Sequence, residues 1–343
     1  MPERVRAGIV GASGYIGGEL LRLLLGHPHV EVAAATSARL AGRSVDTAHP
    51  NLRGVTDLTF VSPETLEPVD VLFAAAPHTQ TMARMPEFLG LAGLVVDLSA
   101  DFRLRDPAVF ARYYGAPHTA PDLLGGFACG LPELYRKELT DADRISVPGC
   151  MATAAILALA PAAAAGLIEP DVVVDARTGS SGSGATAGPA NTHAERSGAL
   201  RVFAPAGHRH EAEIAQATGL AVRMTATGVE AVRGVQVLCH VRLTGGAGER
   251  DLWRAYRERY ADEPFVRLVA RRRGPHRLPD PKILAGANFC DVGFAVDGRG
   301  GATLVAALDN LVKGGAGGAV QSLNVRRGWP ERTGLAFPGL HPV

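Results

Sequence analysis

Lysine is nearly missing from this chain of 343 residues: only Lys137, Lys282 and Lys313 occur, so basic charge rests on arginine and Schiff-base chemistry has little to work with. Cysteine is scarce as well. Cys129, Cys150, Cys239 and Cys290 are scattered with no C-x-x-C pair, which speaks against a disulfide framework and against a zinc site, so no metal is expected. Excess charge of either sign is lacking: the net value is +1 at pH 7, and nothing global calls for nucleic acid. No apolar run reaches the ~18 residues of a membrane span. The nearest, Ala152–Ile168, is interrupted by Pro161 and Gly166 and is expected to be a buried helix. Met1–Ala7 is charged and has no apolar signal-peptide core. These absences point to a cytoplasmic protein that contacts neither membrane nor nucleic acid.

What the chain does have is 47% apolar and 20% charged residues, enough for a sizeable core. Its length suits two domains of ~100–200 residues each. Val5–Val10, Val30–Ala35, Val69–Ala75, Leu94–Leu98 and Arg144–Val147 read as short apolar strands, and Tyr15–Leu25 has helical periodicity. Strands alternating with helices predict βαβ units around a parallel sheet. A helix should lead away from Met151, and past it the pattern changes. Val172–Ala176 and Val235–Leu243 read as strands, the second with Val235, Val237, Cys239 and Val241 on one face, as in a sheet covered on one side. Gly179–Gly188 is rich in glycine and serine and reads as an active-site loop. Leu308–Asn324 reads as a late helix whose glycines at 314, 315, 317 and 318 permit close backbone approach.

Gly11-Ala12-Ser13-Gly14-Tyr15-Ile16-Gly17 follows a strand and opens a helix. Backbone N–H groups at such a helix start bind a pyrophosphate, and the glycines let it come close. A dinucleotide site that takes NAD places an acid at the end of the second strand, against the ribose hydroxyl. Here that strand runs out as Ala35-Thr36-Ser37-Ala38-Arg39, with no acid. Ser37 can hydrogen-bond a 2′-phosphate and Arg39 can pair with it, so NADP is the expected cofactor. The competing reading is that Arg39 is a solvated surface residue.

Cys150 follows Ser146-Val147-Pro148-Gly149 and stands where a strand gives way to a helix. A helix N-terminus stabilises a thiolate, and a thiolate is what attack on an activated acyl group needs. Cys239, Cys290 and Cys129 are read as small buried hydrophobes. The partner base is sought in Gly207-His208-Arg209-His210-Glu211-Ala212-Glu213, the densest ionisable cluster of the chain. Either histidine can take the thiol proton; His208 is favoured as base and His210 as a substrate contact, though sequence order does not decide. His27, His29, His49 and His118 lie near prolines in loop-like sequence and receive no role.

These motifs resemble the N-acetyl-γ-glutamyl-phosphate reductase family, and the resemblance covers nearly the whole chain. It is carried by Gly11–Gly17, Thr36–Arg39, Pro77-His78, Asp97–Arg103, Gly130–Leu134, Val147–Cys150, Gly207–His210 and Asp309–Gly314. It implies reversible reduction of an acyl phosphate by NADPH through a thioester on the cysteine, with Pro77 and Asn310 added to the cofactor contacts. It implies an α/β fold: a Rossmann NADP-binding domain, residues 1–149 plus a returning C-terminal helix at about 309–343, and a glyceraldehyde-3-phosphate-dehydrogenase-like domain, residues 150–308, for substrate and oligomerisation. A homo-oligomer, dimer or tetramer, is expected.

Several stretches depart from the arginine-pathway enzymes: Met151-Ala152, Gly179–Gly184, Thr192–Ser197 and Arg273–Lys282. They are similar to a lysine-biosynthesis branch whose substrate, a 2-aminoadipate acyl phosphate, is masked by a small acidic carrier protein. A free acetylated substrate is the alternative. Arg103, Ser180, Ser181 and Glu213 are the expected substrate contacts, with backbone N–H groups beside the serines holding phosphate or oxyanion. For Arg103 an ion pair with Asp101 or Asp106 is the competing reading. Arg267, Arg271, Arg272, Arg273, His276, Arg277 and Lys282 form a basic run, and Arg271, Arg272 and Arg273 are the expected carrier contacts. A plain solvated face competes with that reading.

Overall fold

The computed structural model describes residues 4–186, 188, 191–270 and 273–343. The chain divides into two compact units, Met1–Pro148 with Gly315–Ala336, and Gly149–Gly314 with Phe337–Val343. Residues 309–314 and 337–343, expected in the cofactor domain, pack with the second unit instead.

The first unit holds β1 (Val5–Val10), β2 (Val30–Ala35), β3 (Val69–Ala74), β4 (Ala92–Asp97), β5 (Ala128–Cys129) and β6 (Arg144–Ser146). They form one sheet in the order β2-β1-β3-β4-β6-β5, with every pairing parallel. Near-continuous apolar strands are what a parallel sheet covered on both faces requires, and four consecutive residues of β1, of β3 and of β4 are buried. The helices are α1 (Tyr15–Leu25), α2 (Thr81–Leu91), α3 (Pro107–Tyr114) and α4 (Pro132–Thr140). A C-terminal helix, Gly317–Arg326, packs on α1 and α4. This is the Rossmann architecture. Its strand order reverses between β1 and β3, where such sheets bind ligands beyond the strand C-termini.

The second unit opens with α5 (Cys150–Ala164), which is apolar nearly all round and therefore buried. Pro161 inside it has no N–H to give to the Leu157 carbonyl. The Tyr260 hydroxyl supplies that hydrogen at 2.7 Å, and the Tyr256 hydroxyl donates to the neighbouring Ala158 carbonyl. The remaining elements are β7 (Asp171–Thr178), α6 (His193–Arg196), β8 (Leu200–Ala204), α7 (His210–Thr218), β9 (Ala221–Val229), β10 (Val235–Arg242), α8 (Glu249–Tyr260), β11 (Val266–Leu268), β12 (Cys290–Val296) and β13 (Gly301–Leu308). The mixed sheet runs β11-β12-β13-β10-β7-β9-β8. Alternation in β10 is as expected, with Val235, Val237, Cys239 and Val241 buried on the face that α5 covers. With Gly317–Arg326 counted in chain order as α9, the unit boundary falls in the turn before it.

That turn corrects the expected helix over Leu308–Asn324. Leu308 ends β13, and the Asp309 carboxylate accepts the N–H groups of Leu311 (2.8 Å) and Val312 (3.3 Å). A π-helical turn over Val312–Ala316 follows, broken at Gly315, and α9 begins only at Gly317.

Candidate active site

Cys150 is the first residue of α5, half-buried, with Gly149 as the cap. The 15-residue helix directs its unpaired N–H groups and positive end at the thiol. Two glycines set the approach. A Cβ on Gly149 would stand 2.1 Å from His210 Nε2, and one on Gly314 would stand 2.5 Å from Cys150 Cβ. The imidazole and the thiol-bearing carbon thus fill the space where those side chains would be.

His210 and Glu213 sit one turn apart at the start of α7, both buried. Glu213 Oε2 accepts the Gly149 N–H at 2.8 Å, and Oε1 lies 3.7 Å from His210 Nε2. Glu213, expected as a substrate contact, therefore holds the backbone immediately before Cys150. His208 precedes α7 and meets His210 edge to face at 4.6 Å between ring centroids. Its Nδ1 accepts the His210 N–H at 3.2 Å. Burial, helped by the Arg209 charge, pushes its imidazole down to about 4.

The Gly179–Gly188 segment carries a correction. Its N–H groups at Gly179, Ser180 and Ser181 are not offered to an anion, because they donate to the carbonyls of Gly234, Ala231 and Val232 at 2.8–2.9 Å. The buried Ser181 hydroxyl accepts from Asn310 Nδ2 at 2.9 Å, and Asn310 Oδ1 accepts the Gly234 N–H at 2.7 Å. The Asn310 carboxamide, expected at the cofactor, thus ties the serine loop to the turn after β13. Ser180 is half-buried beside it.

In the first unit the three glycines of the turn do different work. Gly11 has φ +74, and a Cβ there would meet the Ala75 carbonyl oxygen at 2.6 Å. Gly17 packs helix against turn, since a Cβ would stand 2.5 Å from Ala12 Cα. Gly14 has nothing nearer than 3.5 Å. The start of α1 carries no side-chain cap, so its N–H groups remain for a ligand. Ser13 and Ser37 hydroxyls meet at 2.9 Å, joining the turn to the end of β2, while Tyr15, Arg39 and Pro77 are exposed and Ile16 is half-buried. This set fits a dinucleotide. His49, left without a role by the sequence, braces the turn from below with Nε2 at 2.8 Å from the Ala12 carbonyl. Arg103 Nε donates to the Val147 carbonyl (2.9 Å) and Nη2 to that of Leu98 (3.2 Å). It braces the strand end that leads to Pro148.

Arg271 and Arg272 lie outside the described residues. Of their neighbours, Arg273 and Arg277 are exposed, whereas Arg267 pairs with Asp291 at 2.6 Å. Cys239 and Cys290 are fully buried, and burial pushes the Cys239 thiol up, as befits an inert core residue. Among the described residues no helix is long and apolar enough to cross a membrane.

Residues 6–142 match the semialdehyde dehydrogenase NAD binding domain, and residues 150–310 match the semialdehyde dehydrogenase dimerisation domain. The chain belongs to the semialdehyde dehydrogenase family. Membership makes it an aldehyde-forming oxidoreductase whose first unit binds a nicotinamide dinucleotide, and it agrees with the resemblance carried by the motifs. Full-length relatives place it with the phosphate reductases of this family. A Thermomicrobium roseum protein named as a putative LysW-L-2-aminoadipate 6-phosphate reductase is 52% identical, with 99% of each chain covered. A Deinococcus radiodurans protein named LysW-L-2-aminoadipate 6-phosphate reductase is 48% identical over 99% of each. A Haloarcula marismortui protein, named as a putative LysW-L-2-aminoadipate/LysW-L-glutamate phosphate reductase, is 50% identical over 98% of each. Aspartate semialdehyde dehydrogenase II of Vibrio cholerae shares the fold at a TM-score of 0.70 and 16% identity, covering 94% of this chain and 98% of that one. The Candida albicans aspartate semialdehyde dehydrogenase solved with NADP does so at 0.69 and 17%, covering 95% and 99%.

Proposed function

We propose that this enzyme reduces an amino-acid side-chain acyl phosphate to the semialdehyde with NADPH, through a thioester on Cys150, on a substrate whose amino group is held by a LysW-type carrier. The carrying observation is the arrangement at Gly149: Cys150 at the head of α5, the His210 ring in place of a glycine side chain, and Glu213 fastening the N–H between them.

His210 takes the thiol proton, and the Glu213 carboxylate 3.7 Å from Nε2 offsets the imidazolium charge. This exchanges the roles read from sequence. The Nδ1 of His208 is committed to the His210 N–H, and at about 4 its imidazole is a weak base at neutral pH. The neutral His208 then serves as a substrate contact. Cys150 sulfur attacks the acyl carbon and phosphate leaves with the bonding pair, giving the thioester. N–H groups at the start of α5 stabilise the thiolate and the oxyanion. Ser180 is a phosphate contact, with Ser181 and Asn310 ordering the serine loop. NADPH, when bound, supplies the hydride. Collapse of the tetrahedral Cys150 adduct releases the aldehyde, with His210 managing the proton.

Gly11, Gly14, Gly17 and the start of α1 would hold the pyrophosphate. Ser13, Ser37 and Arg39 would hold the 2′-phosphate, with no acid at the end of β2 to repel it. Carrier linkage is supported by the names of the full-length relatives and by the basic run.

The test is the reverse reaction: phosphate-dependent NADP reduction with carrier-linked aminoadipate semialdehyde, carrier-linked glutamate semialdehyde and free N-acetylated semialdehyde. Preference for a carrier-linked substrate is expected, with KM rising as salt screens charges over ~10 Å at 0.1 M. Replacing Arg271, Arg272 and Arg273 by alanine should raise that KM and spare kcat. Strong preference for the free substrate refutes the carrier and favours the acetylated one.

A further inference from the structure

We propose that Asp101 is a positioning residue for the dinucleotide, clamping residues 75–80 in a strained shape that forms the second wall of the cofactor crevice. The proposal rests on the cofactor assignment of the first unit. The strand order β2-β1-β3 puts the crevice between the C-terminal ends of β1 and β3. The glycine turn after β1 is one wall. Residues 75–80, after β3, are the other, and the two touch. Ala75 N–H donates to the Val10 carbonyl at 2.9 Å, and Gly11 makes room for the Ala75 carbonyl. Pro77 and His78 stand exposed in this wall.

Among the described residues Thr79 alone, glycines aside, has a positive φ, +69. A β-branched side chain disfavours that left-handed region strongly. Something must hold it there, and Asp101 does. Its carboxylate is fully buried, with Oδ1 accepting the Thr79 N–H at 2.7 Å and Oδ2 accepting the Met82 N–H, in the first turn of α2, at 2.9 Å. Asp101 is itself fixed on both sides. Its N–H donates to Ser99 Oγ at 3.2 Å, and its carbonyl meets His118 Nε2 at 3.0 Å. One carboxylate thus joins the strained residue to the helix start, so the wall is shaped before any cofactor arrives. Pre-organisation of this kind spares the ligand the cost of ordering the loop.

Asp101→Asn keeps the size of the side chain, but its amide accepts only one of the two N–H groups. NADPH and NADH affinities by titration calorimetry should both weaken by about tenfold. The kcat at saturating NADPH should change little, because uniform binding is what is lost. Amide exchange at Thr79 and Met82 should accelerate in the cofactor-free variant. Adding Thr79→Gly should restore most of the affinity, since glycine enters the left-handed region freely, whereas adding Thr79→Ala should not. If Asp101→Asn alone does not fold, the Asp101→Asn/Thr79→Gly protein is the test, and it is expected to fold and bind. Unchanged exchange at Thr79 and Met82, or equal behaviour of the Gly and Ala double variants, overturns the clamp. A wild-type protein that binds neither dinucleotide overturns the cofactor assignment, and the clamp's role with it.

Discussion

Replacing Glu213 takes a carboxylate from two neighbours at once, and two substitutions separate them. In Glu213→Ala the buried Gly149 N–H loses its acceptor at 2.8 Å. A hydrogen bond to a charged acceptor contributes ~1.5–3 kcal/mol, and an orphaned buried donor costs a similar amount. The thermal midpoint should therefore fall by several degrees. The cap of α5 loosens with it, so iodoacetamide should label Cys150 at an altered rate. Glu213→Gln keeps an oxygen for Gly149 and removes only the charge 3.7 Å from His210 Nε2. At an effective dielectric of ~20 that charge interacts with an imidazolium by ~4 kcal/mol, an upper bound once desolvation is set against it. A net loss of ~1.5–3 kcal/mol corresponds to a ten- to hundredfold fall in kcat. Stopped-flow turnover across pH 6–9, with thermal melts of both variants, is the assay. Glu213→Gln turning over like wild type, or Glu213→Ala melting like wild type, refutes the reasoning.

Cys150→Ser should lose nearly all turnover while binding NADPH normally, because the cofactor groups lie in the other unit; appreciable turnover measured in that variant refutes the thioester. Arg39→Ala should lower kcat/KM for NADPH by a factor set by one charge-assisted phosphate contact, ~1.5–3 kcal/mol, and leave NADH use unchanged; equal use of both cofactors by wild type would contradict the 2′-phosphate site. His208 is held at about 4, below its ordinary 6.5, so the unfolded chain binds the extra proton between those values. Its contribution to stability is complete above 6.5 and is lost as pH falls through 4. Urea unfolding from pH 4 to 7 should show a shallower dependence in His208→Gln, and identical slopes would refute the burial argument.

Periodicity and punctuation made much of the first unit legible. Val5–Val10, the glycine turn and Tyr15–Leu25 stand where their apolar spacing puts them, because a βαβ unit advertises both its periods within thirty residues. The position of Cys150 at a strand-to-helix junction was readable for the same reason. What could not be read depends on contacts between distant segments. Nothing near His49 says that its ring supports Ala12, and nothing near Glu213 says that it meets Gly149, sixty-four residues away. The backbone N–H groups of the serine loop looked available because their partners, the carbonyls of Ala231, Val232 and Gly234, lie in the remote connection between β9 and β10. The two histidines differ in their partners, Glu213 beside His210 and the His210 N–H on His208, which their shared motif does not encode.

The segment at the end of the second unit that departs from the expected helix is also the one that packs against Cys150. Leu308–Asn324 has enough apolar residues for a helix, but a helix starting at Leu308 would deny Asp309 its place. That carboxylate is fully buried and binds Gly286 N–H at 2.6 Å and Arg233 Nη1 at 3.0 Å, besides capping the turn that follows. The turn carries Asn310 to Ser181 and brings Gly314 against Cys150, with Gly314 N–H on the Asp309 carbonyl at 3.0 Å. Glycine is needed at 314 because the Cys150 side chain already fills the space a Cβ would take. The same holds at Gly149 with His210. The thiol is therefore placed by backbone from two distant parts of the chain, each stripped of its side chain where Cys150 and His210 must fit.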